Sequence, residues 1–212
     1  MIVWHDPRAE PNRSNEMTAT RDRSLDVVVL VGSAGGIKPM ESVLAGLTPD
    51  LDAAVVVLLH LTPQHPSVLA AILARKTSMS VKQAEDGDVL EPGHVYVAPP
   101  DAHLLVAADG TLRLDHSPVV HHVRPSADTL LCSLAENYEG RCLAVVLSGT
   151  GSDGAEGAQA VKSAGGAVFV QDEATSEHFG MPSAAIGAGG VDAVLAVGQI
   201  GKAVADFVGG RS

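Results

Sequence analysis

The sequence predicts an α/β protein: a doubly wound, mostly parallel sheet with helices on both faces and an antiparallel hairpin insertion. Three observations carry that expectation. The apolar runs at 25–31, 53–59 and 142–147 are continuous rather than alternating, the pattern of strands buried on both faces. Between strands lie segments with apolar residues at helical spacing, such as Val68, Leu69, Ile72 and Leu73, so strand and helix alternate as in right-handed βαβ crossovers. Asp109-Gly110 stands between 104–108 and 111–114, a strong hairpin signal.

Each element follows in order. Residues 1–24 are rich in Arg, Asp, Pro, Asn and Ser and lack the apolar centre of a signal peptide, so they read as a disordered tail. A strand over 25–31 passes through a Gly-rich turn into a helix over about 37–47. The strand at 53–59 is stopped by His60-Leu61-Thr62-Pro63, and a helix is predicted over 66–76. From 81 to 114 short strand-like pieces are punctuated by Asp86-Gly87, Pro92-Gly93 and Pro99-Pro100, and the hairpin there is expected to attach to the main sheet as an antiparallel ribbon. Ser126 can cap a helix through Asn137 that ends at Gly140. A strand at 142–147 exits through Ser148-Gly149-Thr150-Gly151-Ser152-Asp153-Gly154 into a helix over 155–164. A strand at 167–170, a short helix after Pro182, a strand near 193–197 and a helix over 199–208 complete the pattern. With no internal repeat, residues 25–212 form one domain.

Composition narrows the function. A chain of 212 residues holds one sizeable core. A net charge of −11 argues against a nucleic-acid backbone or an anionic membrane surface as partner. Cys132 and Cys142 form no CxxC pattern, which fits a reducing cytoplasm rather than a disulfide framework. No apolar stretch reaches the length of a membrane span.

The chemistry gathers at strand ends. Ser33, in Val31-Gly32-Ser33-Ala34-Gly35-Gly36, ends the first strand; His60 ends the second; Asp153 follows the strand at 142–147. In an open parallel sheet, ligands collect beyond the carboxyl ends of the strands where strand order reverses. Serine, histidine and aspartate are a nucleophile, its base and the group that orients the base. Each also has a structural reading: Ser33 as a turn residue or phosphate cradle, His60 as a polar strand end, Asp153 as the cap of the helix that begins at 154. Position 31 is Val, so the Gly-x-Ser-x-Gly elbow is incomplete, and the chain order differs from that of α/β hydrolases. A nucleotide site is disfavoured because G-x-G-x-x-G and Walker A patterns are both missing. His116, His121 and His122 offer a weak metal reading against a solvated-loop one, and no metal or organic cofactor is expected.

Taken together, Gly32-Ser33-Ala34-Gly35-Gly36, Leu59-His60-Leu61 and the 148–154 loop resemble the active-site segments of the bacterial chemotaxis receptor methylesterases, the CheB-type catalytic domain. Ala84-Glu85-Asp86-Gly87, the segment 92–99, Arg124-Pro125-Ser126-Ala127-Asp128 and Phe179-Gly180-Met181-Pro182 extend the resemblance in one colinear order over about residues 25–208. It implies hydrolysis of glutamyl methyl esters on cytoplasmic helices of methyl-accepting receptors, with release of methanol and deamidation of receptor glutamines as a related reaction. Ser33 would be the nucleophile, His60 the base and Asp153 its partner, with the backbone N–H groups of Ala34 and Thr150 as the oxyanion site.

Three departures from the family pattern stand out. Ala34 replaces a hydroxyl residue, and Val123 stands where a histidine often precedes Arg-Pro-Ser, with His122 one position earlier. Too few residues precede the first strand for an N-terminal receiver domain, so control would come from a separate receiver protein, be absent, or lie in a part of a longer chain. A binding or scaffolding domain of the same fold is the alternative reading; a nucleotide-binding domain is the weaker one.

Overall fold

The computed structural model describes residues 25–60 and 67–210; the expected tail at 1–24 lies outside them. The strands are β1 (Asp26–Gly32), β2 (Ala53–Leu59), β3 (Ser80–Gln83), β4 (His94–Val97), β5 (His103–Val106), β6 (Leu112–Asp115), β7 (Cys142–Val146), β8 (Ala167–Gln171) and β9 (Ala193–Leu195). The helices are α1 (Ile37–Ala45), α2 (Leu69–Leu73), α3 (Ala127–Asn137), α4 (Ala155–Ser163), α5 (Gly180–Ala188) and α6 (Val197–Gly209).

Seven strands form one parallel sheet in the order β3-β4-β2-β1-β7-β8-β9. Its centre is dry. Every residue of β1, β2 and β7 is buried, as continuous apolar strands require. Successive side chains point to opposite faces. Val27, Val29 and Val31 enter one core with residues of α3, α4 and α5, while Val28 and Leu30 enter a second core with α1, α2 and α6. Burial of each such Val or Leu contributes roughly 1.5–3 kcal/mol, so both layers are anchored by the same strands.

The chain runs outward from β1 through β2 to β4 and β3, then returns to the other side of β1 and continues through β8 to β9. Strand order therefore reverses at the β1–β7 junction, which is where such sheets place their ligand crevice.

Several expectations are corrected. The hairpin forms, with Leu104 opposite Leu114, but as a separate two-stranded sheet rather than a ribbon on the main one. Its apolar residues Leu104, Val106 and Leu112 join the core shared with α3, and Val106 N–H donates to Ser133 Oγ of that helix at 3.0 Å. Burial against α3 thus replaces pairing with the sheet. The preceding pieces at 80–83 and 94–97 are instead parallel strands of the main sheet. Helix α2 is confined to Leu69–Leu73, shorter than expected, and α5 begins at Gly180, ahead of Pro182. Proline near a helix start loses no intrahelical hydrogen bond, since its missing N–H would have had no partner there.

Helices α3 and α4 pack closely because of Gly157. A Cβ there would lie 2.5 Å from Leu131 Cβ and 3.1 Å from Asp128 Cα. Gly157→Ala is therefore expected to destabilise by about 1–3 kcal/mol, despite the better helix propensity of alanine. Gly198→Ala in α6, where nothing lies within 4 Å, should be neutral or stabilising by up to about 1 kcal/mol. Urea unfolding of both variants reads the difference.

Candidate active site

The β1 turn is built around Ser33. Its N–H donates to Ser148 O at 3.0 Å and its carbonyl accepts from Gly36 N–H at 2.9 Å, closing a tight corner before α1. Gly35 has φ +73°, and a Cβ on it would stand 2.8 Å from Glu177 Cβ and 2.9 Å from Ser148 Oγ. Only glycine satisfies both constraints. The β7 exit loop lies directly against this turn: a Cβ on Gly149 would come within 3.0 Å of Ser33 Cβ and 2.2 Å of Met181 Sδ. Ser148 Oγ joins the segments by donating to Ala34 O at 2.9 Å and accepting from His178 N–H at 3.0 Å.

Asp153 does not cap the helix that follows it. The N-cap of α4 is Gly154, in a left-handed conformation with φ +97°, and no side chain caps that helix. Its carboxylate is instead seated on the N-terminus of α3. Oδ2 accepts from Ala127 N–H at 2.6 Å, and Oδ1 from Asp128 N–H at 3.1 Å and Ser126 Oγ–H at 2.8 Å. The remaining contact is to a side chain just after β2: His60 Nε2 lies 2.8 Å from Asp153 Oδ2. Because a carboxylate only accepts, Nε2 carries the hydrogen and Nδ1 is left with the lone pair in the neutral ring.

Burial works to raise the Asp153 pKa, but donation from His60, the two backbone amides and Ser126 outweighs it and holds the carboxyl at about 2. The positive end of the α3 dipole acts in the same direction.

Ser33 and His60 share an open cleft of about 360 Å³, lined also by Ala34, Gly35, Lys38, Leu59 and Glu177. No hydrogen bond joins Ser33 Oγ to the His60 ring among the described residues, a common state of such pairs without substrate. The N–H groups of Ala34 and Thr150 make no hydrogen bond to another described residue. The structure thus couples His60 directly to Asp153 and has Ser33 line the same cleft as His60.

The histidine trio of the weak metal reading is not assembled among the described residues. Among the described residues, the cluster able to approach one metal ion is His121, Asp128 and Asp153, without His116 or His122. Both oxygens of Asp153 already accept two hydrogen bonds each, which leaves them poorly placed to ligate a cation. His116 turns its Nδ1 towards Asp101 O, 3.2 Å away. Position in the sequence suggests that the 172–181 segment flanks the substrate, and Glu177 of that segment lines the cleft, although nothing local links position 177 to Gly35. Sequence reasoning missed Gln171, fully buried at the end of β8, whose Oε1 accepts from Ser148 N–H at 2.9 Å.

Fold and site together define a doubly wound α/β protein with serine, histidine and aspartate at three strand ends around the switch point. Residues 28–204 match the family model described as CheB methylesterase; the chain belongs to the CheB methylesterase family. It is 42% identical over 187 residues to a protein-glutamate methylesterase/protein-glutamine glutaminase of Anaeromyxobacter dehalogenans, covering 88% of this chain and 54% of that protein. It is 44% identical over 183 residues to one of Myxococcus xanthus, covering 84% and 53%. The chain therefore spans about half the length of these relatives. The crystal structure of the Thermotoga maritima CheB methylesterase catalytic domain superposes with a TM-score of 0.83 at 36% identity, covering 86% of this chain and 98% of that one. No helix among the described residues is long and apolar enough to cross a membrane.

The depressed carboxyl of Asp153 has a definite sign in stability. A folded-state pKa of about 2 against the ordinary 3.8 gives a contribution that is complete above about pH 4 and is lost as pH falls through 2. Its size is about 2 kcal/mol. The stability gap between wild type and Asp153→Asn should narrow by that amount between pH 5 and pH 2, read by urea unfolding at each pH.

Proposed function

We propose that this chain is a serine esterase that removes methyl groups from glutamate side chains of methylated chemoreceptors. The observation that carries the proposal is the 2.8 Å contact of His60 with Asp153 in the cleft that also holds Ser33. In this reading Ser33 Oγ attacks the ester carbonyl while His60 Nδ1 takes its proton, forming a tetrahedral intermediate. Asp153, fixed by its other donors, orients the ring and stabilises the imidazolium. The oxyanion is held by the N–H groups of Ala34 and Thr150, each such donor contributing roughly a hundredfold or more to rate. Collapse of the intermediate breaks the carbon–oxygen bond to methoxide, which leaves as methanol with the proton from His60. Water, deprotonated by the same ring, then hydrolyses the acyl-enzyme to free glutamate and Ser33.

A primary amide passes through an equivalent intermediate, with ammonia as leaving group. Deamidation of receptor glutamines is therefore part of the proposal, in line with the double name of the relatives. With Ala34 in the turn, the oxyanion site has only the backbone at that position. The substrate is the cytoplasmic helical region of a receptor, which places the reaction in the cytoplasm, and a separate receiver protein is a candidate regulator.

Methanol release from methylated receptor tests the proposal. Ser33→Ala should lower kcat by about a thousandfold or more, and His60→Ala by a similar factor. The double variant should be little worse than either single one, because the two act as a unit. Unchanged turnover in Ser33→Ala would remove the serine mechanism. Binding of methylated receptor with no turnover by wild type would favour the scaffold reading.

A further inference from the structure

Behind Asp153 lies a second carboxyl that the reaction above does not use. Asp128, the second residue of α3, is only 5% exposed. Its Oδ1 accepts from Gly157 N–H at 2.8 Å. Its Oδ2 is buried and has no hydrogen-bond partner among the described residues. Two groups approach that side chain: His121 Nδ1, 3.4 Å from Oδ2, and the carboxyl of Asp153. One oxygen of each carboxyl and His121 Nδ1 lie within 4.8 Å of one another.

Two buried carboxyls this close do not both ionise readily, because each disfavours the charge of the other. The donors decide which keeps it. Asp153 receives hydrogen bonds from His60, Ser126, Ala127 and Asp128 N–H, whereas Asp128 Oδ2 receives none. Its nearest cation candidate, His121, is on the exposed turn at 120–123, with half its side chain in solvent. The other titratable groups around Asp128 are His60 beyond Asp153, Cys132 one turn along α3, whose thiol is pushed up first by its burial, and Glu156 on α4. None of these supplies a closer positive charge.

We infer that Asp128 is a positioning residue for Asp153, standing behind it as an un-ionised carboxylic acid so that the pair carries one negative charge, on the carboxyl that faces His60. Burial raises the Asp128 carboxyl above its ordinary range and Asp153 adds to this, against the opposing pull of the Gly157 and Gly154 backbone N–H groups. The consequence for turnover rests on the serine-esterase reading; the protonation state does not. A single charge, fixed by the α3 amides, gives His60 one partner direction. Ionising Asp128 would push on Asp153 from behind and raise the proton affinity of His60.

Infrared difference spectroscopy of wild type against Asp128→Asn at neutral pH tests the protonation directly. The expected result is a carbonyl stretch of an un-ionised acid in wild type that is lost in the variant. Absence of that band means that Asp128 is ionised, and overturns the inference. Turnover on methylated receptor adds a second readout. Asp128→Ala should lower kcat by about tenfold at unchanged KM through misplacement of the pair, and Asp128→Asn should restore kcat to within about threefold of wild type with the acid limb of its pH profile in place. An acid limb displaced downward by about one pH unit in Asp128→Asn would show that a negative charge had been removed, and would likewise overturn it. Should Ser33→Ala remain active, the esterase reading fails while the infrared band still decides the state of Asp128. If Ser33→Ala is inactive and the band is missing, only the present inference fails.

Discussion

The carboxylate of Asp153 at the N-terminus of α3 is the contact on which the site depends. It joins three parts of the chain that are far apart in sequence: the exit of β7, the first residues of α3 and the end of β2. A helix N-terminus presents N–H groups without intrahelical acceptors, and here two of them, with the Ser126 hydroxyl, are directed at one side chain. The result is a buried anion held in one orientation, with its remaining lone pair turned to His60.

Around that contact the sheet supplies only geometry. Strands β2, β1 and β7 are adjacent and parallel, so the turns after them emerge side by side on one edge. The switch of strand order leaves the space beyond that edge unfilled by crossovers. Gly35 and Gly149 then let the β1 turn and the β7 loop approach each other more closely than side chains would permit. Ser148 and Gln171, both buried and both hydrogen-bonded, tie that loop to β8 and to the Ser33 turn. The cleft that results is lined by Ser33 and His60, by Ile37 and Lys38 at the start of α1, and by Glu177.

Legibility followed the range of the forces involved. The strands at the centre of the sheet are readable because burial on both faces demands unbroken apolar runs, and the hairpin because Asp109-Gly110 is a local instruction. The placement of that hairpin was misread: whether Leu104 and Leu112 cover α3 or extend the sheet depends on a helix that begins more than ten residues later. Asp153 was readable as a candidate, yet its structural reading assigned it to the wrong helix, since local spacing favours α4 and only the packed structure offers α3. The histidines of the weak metal reading are held apart for a related reason. His121 turns to Asp128, while His116 turns to the backbone at Asp101, and neither partner is a sequence neighbour.

The sequence by itself determined the class of fold, the three strand ends that carry serine, histidine and aspartate, and the glycines that make a tight corner at Ser33. These follow from short-range periodicity and local conformational demands. Only the tertiary structure decided which nitrogen of His60 meets Asp153, which helix steadies that carboxylate, and which second carboxyl stands behind it. Those outcomes depend on the distance and orientation of groups brought together by burial, and no local pattern in the chain encodes them.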